Sequence, residues 1–370
     1  MQEILKVPIT GGPCAGKTTG LNELPKKLSK YGISSIVVPE IATEFFTAGV
    51  KIGKGGLKPL DFQEQIVLAQ FEREDRYEEI AKSYENKKVI LLCDRGFMDG
   101  RAYINPRQFE AMLENLGIDI AERDRRYQGV VHLVTAAIGA KKYYTAVNNK
   151  IRKETPAEAV KLDMRTRESW VGHPHLRVID NSTDFRKKMK RVFAAVCRVA
   201  GLPAPLEIER KFLIQPPDIS KIISLKNMRT VEIFIEQIYL EKNGKADRRI
   251  RKRGQGGSFV YYLTKKKNIR PGVRMEKERQ IDPMTYVLLA EKEADRKRSV
   301  IQKNRYCFLW KNQYFELDIF ISPKRLSGLS LLEIELTEEN DKIEIPPFLK
   351  VIRDVTEDSE FTNHSLAKKR

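Results

Sequence analysis

The sequence predicts two domains of different class, an α/β domain with a parallel sheet followed by an α+β domain with an antiparallel β-barrel. Its 370 residues fit two domains of ordinary size. Up to the closing helix, short apolar segments alternate with longer amphipathic ones, which is typical of a parallel sheet covered by helices. After the break Gly201-Leu-Pro-Ala-Pro205 the hydrophobic period becomes two, as in antiparallel strands. We therefore place the first domain at residues 1–202 and the second at 206–368.

Five segments of the first domain are short, apolar and rich in β-branched residues, and each is a predicted strand. They are Ile4–Thr10, Ser34–Val38, Lys88–Asp94, Gly129–Ala137 and Arg177–Asp180. The amphipathic stretches Pro59–Glu85 and Pro156–Trp170 are predicted helices. Phe185–Ala200 is predicted to close the domain as a helix that Asp184 caps at its N-terminus.

The second domain is predicted to hold eight strands with one helix, Pro283–Lys297, between the fifth and the sixth. The strands are Leu206–Ile214, Val231–Glu241, Arg248–Arg253, Ser258–Lys267, Val273–Ile281, Arg305–Leu309, Gln313–Phe320 and Ser330–Thr337.

The charge balance points to polyanionic partners. Sixty-eight Lys and Arg residues against 50 Asp and Glu give a formal net charge of +18, which suits nucleotides, polyphosphate, nucleic acid or anionic lipid headgroups. No apolar run reaches the roughly 18–20 residues of a membrane span, so no transmembrane segment is predicted. The N-terminus lacks a signal-peptide pattern and the four cysteines form no CxxC pair. We therefore expect a cytoplasmic protein, with peripheral membrane association as an alternative. The sequence sets no oligomeric state.

A glycine-rich loop follows the first predicted strand. Gly11-Gly-Pro-Cys-Ala-Gly-Lys-Thr18 fits the pattern GxxxxGK[ST], in which backbone N–H groups cradle phosphates, the lysine reaches the β- and γ-phosphates and the hydroxyl ligates magnesium. The alternative is a plain glycine turn between a strand and a helix. The predicted nucleotide-binding residues are Gly11, Gly12, Pro13, Cys14, Ala15, Gly16, Lys17, Thr18, Thr19 and Asn181. ATP or GTP is the expected ligand, and no NKxD segment marks guanine.

Asp94, Glu40 and Arg152 complete the predicted catalytic set with Lys17. Asp94 ends a buried strand, where a P-loop protein holds Mg²⁺, although it could instead cap the next helix. Glu40 follows the second strand and is a candidate general base, or an ordinary surface glutamate. Arg152, with Arg165 and Arg167, lies where P-loop kinases carry a phosphoryl-contacting lid, or on a solvated face.

Charged residues alternate with apolar ones along the strands of the second domain. The alternatives are an ordinary sheet with charges in water, and a barrel lined by charge that binds metal and phosphate together. The predicted metal ligands, for Mg²⁺ or Mn²⁺, are Thr18 and Asp94 in the first domain and Glu207, Glu209, Glu316, Asp318, Glu333 and Glu335 in the second. The predicted phosphate-binding residues of the tunnel are Lys211, Arg249, Arg251, Arg253, Lys265, Arg274, Lys303 and Arg305.

These motifs resemble two families. Glu207-x-Glu209-x-Lys211, the Arg249/Arg251/Arg253 run and the closing Glu333-x-Glu335 resemble a CYTH domain of the triphosphate tunnel metalloenzymes. That resemblance implies a metal-dependent tunnel for inorganic or organic triphosphates. The first domain resembles the P-loop family that includes the ribosylnicotinamide kinase part of NadR proteins. The similar features are Gly11–Thr19, Glu40, Gln70, Asp94-Arg-Gly96 with Asp99, and the segment Tyr144–Asp163. The order of the two domains resembles a trafficking protein of insect photoreceptors, which implies binding of GTP and phosphoinositide.

Three functions remain open from the sequence. The first is an enzyme that hydrolyses or transfers phosphoryl groups at the P-loop and carries a second, triphosphate-binding tunnel. The second is a trafficking or regulatory factor that binds GTP and phosphoinositide without strong catalysis. The third is a small-molecule kinase of the ribosylnicotinamide type. RNA is disfavoured as a partner, because no RRM-like aromatic strand or zinc knuckle occurs.

Overall fold

A computed structural model describes residues 2–144, 154–202, 208–243, 246–270, 273–337 and 341–369. The chain divides into two compact units, Met1–Leu202 and Pro203–Arg370. The first contains a five-stranded parallel sheet and the second a nine-stranded antiparallel sheet. The predicted parallel sheet of the first unit and the predicted antiparallel sheet of the second are therefore confirmed.

The sheet of the first unit has the strand order β2-β3-β1-β4-β5, and all neighbouring strands run parallel. Its strands are β1 (Glu3–Gly11), β2 (Ser34–Val38), β3 (Lys88–Asp94), β4 (Val130–Leu133) and β5 (Leu176–Ile179). Val89, Leu91 and Cys93 pack towards one helix, and the alternating Ile90 and Leu92 are buried as well. A strand buried on both faces is typical of a parallel sheet.

In the described part of the first unit, seven α-helices connect and cover these strands. They are α1 (Lys17–Leu28), α2 (Ile41–Thr47), α3 (Pro59–Lys82), α4 (Pro106–Asn115), α5 (Ala121–Arg126), α6 (Pro156–Ser169) and α7 (Phe185–Val199). A capping box between Thr155 and Glu158 starts α6. The predicted cap of α7 is confirmed, because Asp184 accepts a hydrogen bond from Lys187 N at 2.9 Å.

The structure corrects one strand boundary that matters for the site. The strand predicted at Gly129–Ala137 ends at Leu133. Beyond that point Thr135 N donates to the carboxylate of Asp163 at 2.9 Å rather than to a neighbouring strand. The chain therefore turns beside the glycine-rich loop.

The nine strands of the second unit have the order β10-β9-β8-β7-β11-β12-β13-β6-β14. The strands are β6 (Ile208–Ile214), β7 (Thr230–Asn243), β8 (Ala246–Gln255), β9 (Ser258–Arg270), β10 (Val273–Ile281), β11 (Ile301–Trp310), β12 (Gln313–Ser322), β13 (Ser330–Leu336) and β14 (Val351–Asp354). Its helices are α8 (Ile219–Ile223), α9 (Pro283–Glu293) and α10 (Asn363–Leu366).

The predicted barrel does not close among the described residues. The edge strands of the sheet are β10 and β14, and no pairing joins them. Strand β14, which the sequence did not predict, pairs with β6 and occupies the edge that closure would need. The predicted helix Pro283–Lys297 also ends early, because Ala294 is extended and forms a bridge with Leu240.

Strand register separates the second unit's sheet into a charged and an apolar face. Lys211 lies opposite Glu333, Glu333 opposite Glu316, and Arg305 opposite Asp318, so these side chains share one face. Residues that alternate with them form the apolar core on the other side, where Phe212, Phe308, Phe315 and Leu332 pack together. We call the first side of the sheet the charged face.

Candidate functional site

The glycine-rich loop joins β1 to α1 in a backbone shape that depends on glycine. Gly11 and Gly16 have φ of 150° and 94°, and a Cβ on Gly11 would lie 2.2 Å from Leu133 O. Gly16 is the N-cap of α1 and provides no side-chain cap. Because glycine has no side chain, Gly16 cannot accept a hydrogen bond from the first N–H groups of α1. An anionic phosphate is a suitable acceptor for such groups.

Lys17 and Thr18 sit at the start of α1 with different exposure. Lys17 is buried, and its Nζ donates to Gly11 O at 3.4 Å, while Thr18 is exposed and Thr19 half-buried. The positive charge of Lys17 lowers the pKa of both Glu40 and Asp94, although burial opposes it at both. The structure thus places one lysine of the loop near two candidate carboxylates.

Asp94 lies at the carboxyl end of β3, opposite Ile9 of β1. Its Oδ1 is buried and has no hydrogen-bond partner among the described residues. Burial raises the pKa of Asp94 despite the nearby Lys17. A buried carboxylate oxygen without a hydrogen-bond partner fits a cation, so Asp94 is a residue that could hold Mg²⁺.

Glu40 forms an ion pair with Arg95 at the same edge of the sheet. Arg95 Nε lies 2.5 Å from Glu40 Oε1, and Thr43 Oγ1 donates to Glu40 Oε2 at 2.6 Å. Burial would raise the pKa of Glu40, but Arg95 and Lys17 outweigh it and lower that pKa to about 2. The carboxylate is therefore ionised, and its proton affinity is low for a general base while this pair persists.

Asp99 connects Arg95 to the core of the first unit. Its carboxylate accepts hydrogen bonds from Thr10 Oγ1 at 2.7 Å, Trp170 Nε1 at 2.6 Å and Arg95 Nη1 at 3.2 Å. Asp99 and Trp170 are both buried. Arg95 is thus held from two sides, by Glu40 and by Asp99.

The predicted base-contact and lid residues have other partners. Asn181 Nδ2 donates to Thr135 O at 2.8 Å and Ile138 O at 2.6 Å, and its Oδ1 accepts from Lys188 Nζ at 2.7 Å. Both polar atoms of Asn181 are therefore engaged within the protein. Arg167 is buried with its Nε 3.4 Å from Asp163, and Arg165 reaches Ala102 O at 3.4 Å. Arg152 lies outside the described residues.

An ion network occupies the charged face of the second unit. Arg305 contacts Glu316, Asp318 and Glu333, and its Nη2 lies 2.7 Å from Glu333 Oε2. Lys303 pairs with Asp318, and Lys211 Nζ lies 2.9 Å from Glu333 Oε1. Burial would raise the pKa of Glu333, but Lys211 and Arg305 hold it well below its usual range. Three predicted metal ligands are therefore already neutralised by predicted phosphate-binding cations.

A second group of charges lies across the same face. Arg251 Nη2 lies 2.7 Å from Glu278 Oε2, which also accepts from Thr264 Oγ1 at 2.8 Å. Arg249 and Arg253 share this face with Arg251 through the register of β8. Arg253 is buried.

The register corrects the placement of one predicted tunnel residue. Lys265 lies opposite Arg248, whereas its neighbour Thr264 lies opposite Arg249. Lys265 therefore points to the opposite face from Arg249, Arg251 and Arg253, and the prediction that it lines the same tunnel is wrong. The side chain of Arg274 and the whole of Glu207 lie outside the described residues.

Two predicted ligands lie opposite each other in the strand pairing. Glu209 of β6 faces Glu335 of β13 on the charged face. Among the described residues, no three His, Cys, Asp or Glu side chains are grouped closely enough to hold a metal ion. A metal on the charged face would therefore need a rearrangement of the ion pairs or oxygen atoms from the ligand.

None of the helices in the described ranges combines the length and apolar character needed to cross a membrane.

Sequence reasoning missed several groups around the loop. Asp163 and Lys188 contact loop residues that lie 151 and 173 positions away in the chain. No local motif marks either residue. The one signal in the sequence is a charged residue at a helix position where the hydrophobic periodicity predicts burial.

Comparison with known proteins gives separate results for parts of the chain. Residues 6–188 match a family model described as an AAA domain. No curated protein matches the chain. Among solved structures, the inorganic triphosphatase NE1496 is 30% identical, with coverage of 44% of this chain and 95% of that chain and a TM-score of 0.32. The PH1012 protein from Pyrococcus horikoshii OT3 is 25% identical, with coverage of 36% and 80% and a TM-score of 0.28.

The match with the AAA model spans the glycine-rich loop, Glu40, Asp94 and Asp163. The matched range also includes Arg95, Asp99 and Lys188. The resemblance to an insect photoreceptor protein has no counterpart in these comparisons. Over residues 6–188 the chain is similar to AAA-type P-loop domains, and over 44% of its length it is similar to the inorganic triphosphatase NE1496.

Proposed function

We propose that the first unit binds a nucleoside triphosphate at the loop Gly11–Thr18 and cleaves its terminal phosphoanhydride by hydrolysis or phosphoryl transfer. The observation that carries this proposal is the buried Oδ1 of Asp94, which has no hydrogen-bond partner among the described residues and feels the positive charge of Lys17. A cation bound together with a phosphate chain would satisfy this oxygen.

Each residue of the site has a distinct task in this proposal. The loop N–H groups and Lys17 bind the phosphates and offset charge on the transferring group. Thr18 and Asp94 would hold Mg²⁺, which polarises phosphoryl oxygens when bound. Arg95, which pairs with Glu40 and Asp99, adds a positive charge at the same edge. If Arg95 turns to a bound phosphate, the carboxylate of Glu40 becomes available to orient water or an acceptor hydroxyl.

The second unit is proposed to bind a triphosphate chain on its charged face. Arg249, Arg251 and Arg253 lie on one face of β8, and guanidinium groups bind phosphoryl oxygens through paired hydrogen bonds. The name of NE1496, an inorganic triphosphatase, makes tripolyphosphate the first substrate to test. Turnover there would be metal-dependent, with Mg²⁺ or Mn²⁺ among the acids of β12 and β13.

The test is phosphate release by the full chain. Purified protein is incubated with ATP, GTP and tripolyphosphate, each with Mg²⁺, with Mn²⁺ and with a chelator. Metal-dependent release from a nucleotide supports the proposal for the first unit, and release from tripolyphosphate supports that for the second. Folded protein that neither releases phosphate nor binds any of the three ligands would overturn both.

A second candidate is a binding module whose charged face holds phosphates without hydrolysing them. The observation that favours it is the pairing of Glu316, Asp318 and Glu333 with Lys303, Arg305 and Lys211, because these acids are then less free to ligate metal. Calorimetric titration with tripolyphosphate in chelator decides between them. Binding without metal and without turnover supports the module, and binding that requires metal supports the enzyme.

A further inference from the structure

The backbone of the glycine-rich loop is held from outside by groups of three other segments. Asp163 of α6 accepts a hydrogen bond from Gly12 N at 3.1 Å, and Lys188 of α7 donates to Ala15 O at 3.0 Å. Between these two contacts, Thr135 Oγ1 donates to Pro13 O and Ala136 N donates to Cys14 O at 3.3 Å. Three consecutive loop carbonyls therefore point away from the phosphate side.

Asp163 is itself fixed in place. The residue is fully buried, and its Oδ1 accepts from Gly12 N and Thr135 N and lies 3.3 Å from His132 Nε2. Its Oδ2 lies 3.4 Å from Arg167 Nε. Burial would raise the pKa of Asp163, but His132, Arg167 and the backbone donors outweigh it and lower that pKa. The carboxylate is therefore a fixed negative charge behind Gly12.

Lys188 is the opposite charge on the other side of the loop. It is buried, and its ammonium donates to Ala15 O, Val134 O at 2.7 Å and Asn181 Oδ1 at 2.7 Å. These three acceptors match its three donors. Burial lowers its pKa to about 8, so the group is protonated at neutral pH. Asp163 also acts on Lys188 electrostatically, which links the two charges.

We propose that Asp163 and Lys188 are positioning residues that fix the loop backbone for triphosphate binding. The anion takes an N–H on the outer side of the loop and the cation takes a carbonyl, so the loop is ordered before any ligand arrives. Preorganisation lowers the entropic cost of binding, because the phosphate does not have to order the chain. This inference rests on the proposed function of the first unit.

The space around the loop agrees with such a role. A Cβ added to Gly12 would lie 2.8 Å from the Cβ of Asp163, and one added to Gly16 would lie 2.9 Å from the Phe185 ring. The loop is therefore enclosed by α6 on one side and by the start of α7 on the other. The same two helices carry Asp163 and Lys188.

The test combines nucleotide binding with amide hydrogen exchange on the full chain. Lys188→Met removes the charge at similar length, and Asp163→Asn keeps an acceptor for Gly12 N while removing the negative charge. Lys190→Met, at an exposed position of α7, and Asp61→Asn, at an exposed position of α3, are the matched controls. Binding of ATP and of GTP with Mg²⁺ is measured by calorimetry, and exchange is followed in peptides covering residues 11–18 and, as reference, β3.

We expect Lys188→Met to weaken nucleotide binding by about tenfold or more, since it removes a charged hydrogen bond, and to accelerate exchange in the loop while β3 stays protected. Asp163→Asn should have the same direction of effect. In a Lys17→Ala background the effect of Lys188→Met on affinity should shrink. Wild-type affinity and unchanged loop exchange in a folded Lys188→Met or Asp163→Asn variant would overturn the inference.

The two proposals can fail separately. Hydrogen exchange reports loop order without any ligand, so faster exchange in both variants supports positioning whatever the ligand is. If the wild-type chain binds neither ATP nor GTP, the proposed function fails while the exchange result still decides the positioning. If Lys188→Met does not fold, Asp163→Asn gives the deciding measurement.

Discussion

Arg305 spans the carboxylate of Asp318 with two hydrogen bonds, from Nε to Oδ1 at 2.6 Å and from Nη2 to Oδ2 at 2.7 Å. The two residues lie directly opposite each other on β11 and β12, and Asp318 is fully buried. Bidentate geometry of this kind fixes the guanidinium plane. Lys303 pairs with the same carboxylate, so Asp318 is a counter-ion shared by Arg305 and Lys303.

Asp318→Ala should strongly destabilise the second unit, because it leaves Lys303 and Arg305 without their shared buried partner. Breaking a buried ion pair from one side costs about 3–5 kcal/mol. The measurement is urea unfolding followed by tryptophan fluorescence, since Trp310 packs in the second unit and Trp170 in the first. Glu357→Gln, at an exposed position, should leave the midpoint unchanged. An Asp318→Ala midpoint equal to that of the wild type would contradict the prediction.

Lys17→Ala should remove nucleotide binding from the first unit and leave tripolyphosphate binding by the second unit intact. The reason is that Lys17 is the buried cation of the loop in the first unit, whereas the predicted phosphate-binding cations of the charged face lie on strands of the second unit. Calorimetry with each ligand gives both affinities in one preparation. Lys30→Ala, at an exposed position, is the control and should bind nucleotide normally. Equal losses for both ligands would show that the two sites are not separate.

Asp94→Asn should weaken the Mg²⁺-dependent part of nucleotide binding and leave binding in chelator almost unchanged. The substitution keeps the size of the side chain but removes the charge that a hard cation prefers. Nucleotide titrations with and without Mg²⁺ measure the two components. If Mg²⁺ strengthens binding equally in both proteins, Asp94 is not a metal ligand.

Arg251→Met should lower the affinity for tripolyphosphate by about tenfold, because a charged hydrogen bond to the ligand is lost. Lys265→Met is a matched control, since Lys265 is a cation on the adjacent strand whose side chain lies on the opposite face. Its affinity should equal that of the wild type. The reverse order of effects would show that the ligand binds on the other side of the sheet.

The stability of the first unit should fall as the pH falls from about 6.5 to about 3, because of His173. His173 Nε2 lies 3.0 Å from Tyr127 O and its Nδ1 accepts from His175 N at 3.1 Å, which a neutral ring satisfies. Burial lowers the pKa of His173 from 6.5 to about 3. Within this window the unfolded chain binds a proton that the folded chain does not, so the stabilisation is complete above the window and is lost below it.

His173→Gln removes this proton linkage. The difference in unfolding free energy between the wild type and this variant should shrink as the pH falls, and urea titrations at several pH values measure it. His364→Gln, in the second unit, should leave the pH dependence of the first unit unchanged. A constant difference between the wild type and His173→Gln would contradict the assignment.

The sequence was sufficient to predict the elements whose signal is local. The motif Gly11–Thr18 predicted the loop between β1 and α1, and alternation of charged and apolar residues predicted most strands of the second unit. The prediction for Lys265 was wrong because the sequence of one strand does not give the register of that strand against its neighbour. In the structure Thr264, and not Lys265, lies opposite Arg249. Strand β14 carries only four residues, too few for a periodic signal.

The groups that complete each site could not be predicted for a different reason. Asp163 and Lys188 meet the loop only after the sheet has brought distant segments together. The pairing of Glu40 with Arg95 likewise depends on the parallel order β2-β3-β1, in which the ends of strands distant in sequence become neighbours. Residue type indicated the chemistry, and topology decided the partners.

The alternation along β8 also determines which genetic changes this strand tolerates. Arg249, Arg251 and Arg253 lie on one face, and Ile250 packs on the other against Tyr286 of α9. Substituting a single position alters one side chain, whereas inserting or deleting one codon in the middle of β8 would exchange the two faces for every residue that follows. Guanidinium groups would then point into the apolar contact between β8 and α9. Length variation among natural homologues should therefore fall in the turn at Gly256-Gly257 and be absent from the strand itself.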